Sequence, residues 1–368
     1  MNRWISAYEG SLAADALAMP VHWYYDPAAL QRDYGPVDCF KAPRNPHPGS
    51  ILWRSQYTAL NARGDILREQ ADFWGQREIH YHQFLKAGEN TLNFKLAAEL
   101  YTWTKARGDY DSDAWLEHYI ARMLEPGWHR DTYLEEYHRA FFTRYAQGKP
   151  PRKCGISDEH IGGLATVPAL LAALEGTPLD DLRRIIKGHV GLTHAHPNVQ
   201  RAADTLVRLL WAVAGGGDLR EAIRAEAGDW ISGNKAESWR DQPDTQVVGA
   251  RFSPACYIAE AMPAALYLTW KYHDDFTAGI IANASVGGDN CHRGAVVGSL
   301  LGAACGSIPP RFSNGPHQPL TADAHCNYLR IWGHCSRIHK KLVRLEEAGQ
   351  FPAWHDYPGL NILERFTM

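Results

Sequence analysis

Apolar residues along the chain recur three and four positions apart, and two-residue alternation is almost absent. That spacing predicts an all-α fold. In "NTLNFKLAAELYTW", Leu92, Leu96, Leu100 and Trp103 form one stripe. "PNVQRAADTLVRLLWAVAGGG" repeats the pattern with Val199, Ala203, Leu206, Leu210 and Val213, opening on Pro197 and closing on Gly215. "SPACYIAEAMPAALYLTW" predicts a helix with a Ser-Pro start that Pro263 kinks or splits. "HIGGLATVPALLAALEG" predicts another apolar helix.

Two stretches carry small residues every fourth position: Gly294, Gly298, Gly302 and Gly306, and Gly10, Ala14 and Ala18. A face without side chains lets a second backbone approach closely, so these helices are expected at the centre of a bundle. Packed together, they would bring Asp15 and Asp289 near one another. Residues 26–57 and 228–253 are rich in Gly, Pro and Asp and are expected to be lids or binding loops. No linker or repeat divides the chain, so one domain over 1–368 is expected. Residues 321–368 would add a C-terminal amphipathic helical segment, packed on the bundle or on a second copy.

Composition narrows the classes. The 368 residues are 45% hydrophobic and 21% charged, enough for a large core and without a disorder signature. A net charge of −3 argues against a nucleic-acid-binding surface. No apolar run is long enough for a bilayer and no leader is evident, so a cytoplasmic protein is expected. Seven cysteines without a C-x-x-C pair are expected to be reduced thiols. The 13 Trp and 17 Tyr read mainly as core, with a stacking platform for a flat ligand as the alternative.

Polar clusters sit beside several helix starts. Asp15 and His22 lie in "AADALAMPVHWYYD", and Glu89, Asn90 and Thr91 lie in "AGENTLNF". "SVGGDNCHRG" holds Gly287, Gly288, Asp289, Asn290, Cys291, His292 and Arg293. "GLTHAHPNVQ" holds His194 and His196, and "IHYHQF" holds His80 and His82. Singly, each is explained by capping or by the helix dipole. No Walker loop, G-x-S-x-G or H-E-x-x-H accompanies them.

Taken in order, the clusters resemble the ADP-ribosylglycohydrolase family, the dinitrogenase-reductase-activating and crystallin-like hydrolases. "GSLAADALAMPVH" matches its G-x-x-x-G-D-A-L-G-x-P-x-E segment, "GENT" echoes S/T-D-D-T, and "LTHAHP" matches a T-H-P-like segment. "AEAMPAALYL" meets E-T-L-P-A-A-L, and "GGDNCHRGAVVGSLLGAACGSIP" meets G-G-D-T-D-T with its glycine-spaced helix. The likeness runs over about residues 5–310. It implies a single large orthogonal helical bundle around a dinuclear magnesium site, and hydrolysis at the anomeric carbon of a ribose.

The sequence departs from that pattern at the chemistry. The family's Glu aligns with His22, and its S/T-D-D becomes Gly88, Glu89 and Asn90. Asp289 is kept, but the second Asp aligns with Cys291 and the final Thr with His292. The N-G-A-x-M-R segment survives only as "HIGGLAT", without its arginine. The expectation is a hydrolase of an N- or O-glycosidic bond in an ADP-ribosyl or smaller ribosylated substrate, with a non-standard metal site. His22, Asp289 and Glu89 would be catalytic. Glu89, Asn90, Asp289, Cys291 and His292 would hold metal. Asp15, Asn90, Gly287, Gly288, Arg293 and His194 would bind substrate. Magnesium follows from the resemblance, a transition metal from the softer donors, and no metal with His22 as general base is the third possibility. Cys291 beside His292 also admits a nucleophilic role. The alternative is a catalytically inactive binding or structural protein on the same fold.

Overall fold

The computed structural model describes residues 2–313. Contacts divide the chain into Met1–Pro319 and Leu320–Met368, and the described residues all belong to the first unit. The C-terminal segment expected over 321–368 lies outside them. Among the described residues there is no strand, only three isolated bridges. The helices are α1 (Arg3–Ala18), α2 (Pro27–Tyr34), α3 (Leu92–Arg107), α4 (Ser112–Met123), α5 (Glu136–Ala146), α6 (Val167–Ala173) and α7 (Leu179–Gly191). They continue with α8 (Pro197–Ala214), α9 (Leu219–Glu226), α10 (Gly233–Ser238), α11 (Asp244–Val247), α12 (Ile258–Lys271), α13 (Phe276–Ser285) and α14 (Asn290–Cys305). None is long and apolar enough to cross a membrane.

The two small-residue helices pack on each other as their spacing predicts. A Cβ on Gly10 would fall 2.2 Å from the Gly298 carbonyl oxygen, and one on Gly302 would fall 2.2 Å from that of Ser6. Backbone meets backbone along α1 and α14, and α8, α12 and α13 close around them. Gly306 ends α14 in the left-handed region. The consequence for function is positional: the C-terminal end of α1, carrying Asp15, and the N-terminal end of α14, carrying Asp289, belong to one rigid unit.

Three sequence expectations need correction. Helix α12 begins at Ile258 and runs unbroken through Pro263. The stretch before it is held out of the helix because the Pro254 carbonyl accepts from Asp289 N at 2.8 Å and Ser253 N donates to Glu260 at 3.0 Å. "HIGGLATVPALLAALEG" forms a 3-10 turn, Ile161–Leu164, before α6. Cys154, Cys256, Cys291 and Cys305 are free thiols as expected, whereas Cys39 is disulfide-bonded. Between α2 and α3 the chain makes only short 3-10 turns, yet it buries Leu52, Ile66, Tyr81 and His82. The irregular region therefore has its own core, and His82 is part of it.

Candidate functional site

The Gly287-Gly288 turn delivers Asp289 to the head of α14. Both glycines are left-handed, with φ of 68° and 66°. A Cβ on Gly287 would meet the Tyr24 carbonyl oxygen at 2.1 Å, and one on Gly288 the Pro254 carbonyl oxygen at 2.2 Å. The turn is thus clamped between the Trp23–Tyr24 backbone and Pro254, with Trp23 N donating to Gly288 O at 2.8 Å. Arg293 secures it from below. Its fully buried guanidinium donates to Asn283 Oδ1 at 2.9 Å and to the Gly287 carbonyl at 2.8 Å. Expected to bind substrate, Arg293 and the two glycines are occupied in holding this loop.

Asp289 stands at the N-cap of α14 but its side chain makes no capping bond. Its Oδ1 instead meets His22 Nε2 at 2.8 Å and His292 Nδ1 at 2.6 Å. Oδ2 is buried without a hydrogen-bond partner, 3.6 Å from His160 Nε2. Burial alone would raise the Asp289 pKa, but His292, His160 and His22 hold it well below the ordinary carboxylate range. Burial drives His22 well below the ordinary imidazole value despite its Asp289 contact. His292 is driven the other way, up to about 9: burial opposes this, and the Asp289 carboxylate and its hydrogen bond outweigh it.

A second line of side chains supports His22 from behind. His22 Nδ1 lies 2.7 Å from His82 Nε2, and His82 Nδ1 lies 2.5 Å from Asp131 Oδ1. Asp131 Oδ2 accepts from Leu92 N at 2.5 Å, the first residue of α3, where the helix dipole favours an anion. The His22 ring also stacks on Trp23, centroids 3.9 Å apart. On the far side, His292 Nε2 lies 2.5 Å from Asn93 Nδ2 and 3.4 Å from Glu135 Oε1. Glu135 Oε2 is buried without a hydrogen-bond partner, 3.9 Å from His138 Nε2, and burial raises the carboxyl pKa.

Of the residues expected at the site, the structure therefore unites His22, Asp289 and His292. Glu89 does not join them. Its carboxylate is bound by Arg130 at 2.6 and 2.7 Å, partly in solvent. Cys291 is buried, but its sulfur is turned to the Asp15 carbonyl oxygen at 3.7 Å. Burial and the neighbouring Asp15 carboxylate push that thiol well above its usual pKa, so it stands as a neutral thiol aimed at α1 and away from the Asp289 carboxylate. Asn90 donates to Asp15 at 2.8 Å and to the Leu12 carbonyl at 2.8 Å, so it ties α3 to α1. The Asp15 oxygens also accept from Thr91 N at 2.9 Å and Thr91 Oγ1 at 2.8 Å, three hydrogen bonds in all. His194 lies behind the site, its ring 4.2 Å from that of Tyr137, lining a cavity of about 50 Å³ with His138 and His189.

His82, Asp131, Asn93, Glu135, His160 and Cys256 were not assigned to the site from sequence. His82 carried a signal there as half of the His80/His82 pair, and His160 as the first residue of "HIGGLAT". Among the described residues, two groups of donors are close enough to hold an ion: His22, Asp289 and His292, and His160, Cys256 and Asp289.

The family model described as ADP-ribosylglycohydrolase matches residues 1–340. The chain belongs to the ADP-ribosylglycohydrolase family. A solved structure described as an "ADP-ribosylglycohydrolase-related protein complex" aligns with a TM-score of 0.56 and 22% identity, covering 84% of this chain and 90% of that one. At that identity the likeness speaks for the fold. No curated protein matches.

The family expectation of two magnesium ions can be tested on the donors. Magnesium takes oxygen ligands in near-octahedral geometry. Here Asp15 accepts three hydrogen bonds, Asp131 is committed to His82 and Leu92, and Asp289 Oδ1 faces two imidazoles, which leaves Asp289 Oδ2 and Glu135 Oε2 as the carboxylate oxygens free of hydrogen bonds. The donors of this ADP-ribosylglycohydrolase family member do not fit two magnesium ions.

Proposed function

We propose that the chain hydrolyses a glycosidic bond at the anomeric carbon of a ribose, in an ADP-ribosyl or smaller ribosylated substrate. One observation carries the reading: His22 and His292 converge on a single oxygen of Asp289 at the head of the central helix, leaving Oδ2 buried and unpartnered. In this reading Asp289 Oδ2 orients the attacking water and takes its proton as the new C–O bond forms, with His22 and His292 holding Oδ1. His160 accepts the Gly162 N–H on Nδ1 at 2.8 Å, so its neutral ring presents an Nε2–H beside Oδ2 to a substrate oxygen. Glu135 and Asp289 have their pKa values pushed in opposite directions on two sides of His292, an arrangement that suits a general acid and an ionised partner.

His160 and Cys256 form the less buried edge, with Tyr25 and Tyr257 exposed, and substrate is expected to enter there. The test is release of ADP-ribose or ribose from ADP-ribosylated peptides and ribosylated small molecules, followed by mass spectrometry. Turnover that His22→Gln abolishes supports the reading.

The complete burial of His22, Asp289 and His292 favours a second reading, a non-catalytic member that only binds such a ligand. It predicts thermal stabilisation by ADP-ribose with no product at any enzyme concentration.

A further inference from the structure

We propose that His22, His292 and Asp289 bind one transition-metal ion of the zinc class. The proposal stands on side-chain geometry and holds whether or not a substrate is found. His22 Nε2, His292 Nδ1 and an Asp289 oxygen lie within 4.8 Å of one another. Two imidazole nitrogens and one carboxylate make a three-ligand set, and Asp289 Oδ2 is left without a hydrogen bond. Imidazole suits zinc, cobalt, nickel or iron far better than magnesium.

Proton counting points the same way. Asp131 takes the His82 Nδ1–H, and His82 Nε2 then takes the His22 Nδ1–H. That leaves a lone pair on His22 Nε2, aimed at a carboxylate oxygen 2.8 Å away. The three contacts in line need three protons, two neutral imidazoles supply two, and the third place falls to one added proton or to one cation. A cation between Nε2 and Asp289 removes the repulsion and uses the lone pair. The Asp131–His82 pair is then the support that fixes the ligand's tautomer, as carboxylate–histidine supports do at metal centres.

His292 is governed by Asn93. As placed, Asn93 Nδ2 faces His292 Nε2, while Oδ1 accepts from Tyr137 and from His138 Nε2 at 2.8 Å. A half-turn of the amide, which exchanges oxygen and nitrogen, lets Oδ1 accept a His292 Nε2–H. It also lets Nδ2 donate to His138 and Tyr137, and frees Nδ1 for an ion. Asn93 is therefore a positioning residue for the second imidazole ligand.

The other donor group takes no ion. His160 has the Gly162 N–H on its Nδ1, so its Nε2 carries hydrogen rather than a lone pair. Cys256 is left with Asp289 alone, a pair too few to hold an ion. The inference is one ion per chain.

The test strips the full chain with a chelator and titrates it with Co²⁺, Zn²⁺ and Mg²⁺ by calorimetry and visible absorption. One Co²⁺ per chain is expected, displaced by Zn²⁺, with Mg²⁺ weaker by roughly 100-fold or more. His22→Gln and His292→Gln should abolish the Co²⁺ spectrum. His82→Gln should lower affinity roughly 10–100-fold with the stoichiometry still one. Cys256→Ser should leave affinity unchanged. Zinc-edge anomalous scattering from the soaked wild-type crystal gives a readout that needs no variant, with a peak expected between His22 and His292. No ion, two ions per chain, equal affinity for Mg²⁺, or a peak at Cys256 would overturn the proposal. Substrate turnover enters none of these readouts.

Discussion

Gly10 and Gly298 face each other so closely that a Cβ on either would lie 2.2 Å from the other's carbonyl oxygen. This contact joins the two helices whose ends present Asp15 and Asp289, so it sets the frame of the site.

Gly298→Ala is therefore expected to force the helices apart. Over-packing of this kind costs about 1–3 kcal/mol and often more where backbone must move. Urea denaturation measures the loss, and the same variant should weaken ligand or metal binding at Asp289. An unchanged midpoint would mean that α1 and α14 are not in backbone contact.

Asp15→Asn should destabilise the protein by about 2–4 kcal/mol, since a buried carboxylate accepting three hydrogen bonds loses its charge and half its acceptor capacity. Thermal melting checks this. Asp15 is predicted to act through stability, with the substrate KM of any active preparation little altered.

Glu89→Gln should be nearly silent. An ion pair with Arg130 in partial solvent is worth about 0–1 kcal/mol, and the pair lies outside the Asp289 cluster. Wild-type Co²⁺ affinity and a melting temperature within about 2 °C are expected. Loss of binding would return Glu89 to the site.

Acid should unfold the protein partly through buried neutral histidines. Burial pushes His189 down to about 4, while the unfolded ring titrates near 6.5. Between those values the unfolded chain binds a proton that the native chain refuses, so this contribution is full above pH 6.5 and is lost as pH falls toward 4. It amounts to on the order of 3 kcal/mol at pH 4 for such a group. Urea midpoints measured across this range should fall with acid, and His189→Gln should fall less steeply.

Much of the fold was legible because small residues at fourth positions have one physical use in a soluble helix pair, close backbone approach. Pro197 and Gly215 marked α8 for equally local reasons. The site was only half legible. His22, Asp289 and His292 were found through a family pattern that fixes their order along the chain. Glu89 was misplaced because a pattern position fixes the backbone, while the longer side chain found Arg130 outside. His82 and Asp131 lie on two separate loops with no periodicity, and nothing in "IHYHQF" or "WHRDTY" marks a ring that reaches His22 or the carboxylate behind it. Cys291 aligned with a ligand position, but its side chain is aimed back at α1. Only coordinates resolve such directions.

The most direct measurement of the central claim is hydrolysis of a ribosyl glycosidic bond by wild type, His22→Gln and Asp289→Asn, with melting curves on the same preparations. The account predicts turnover by wild type and a loss of roughly 10²–10⁴-fold in each folded variant. Wild-type rates in both folded variants would contradict it.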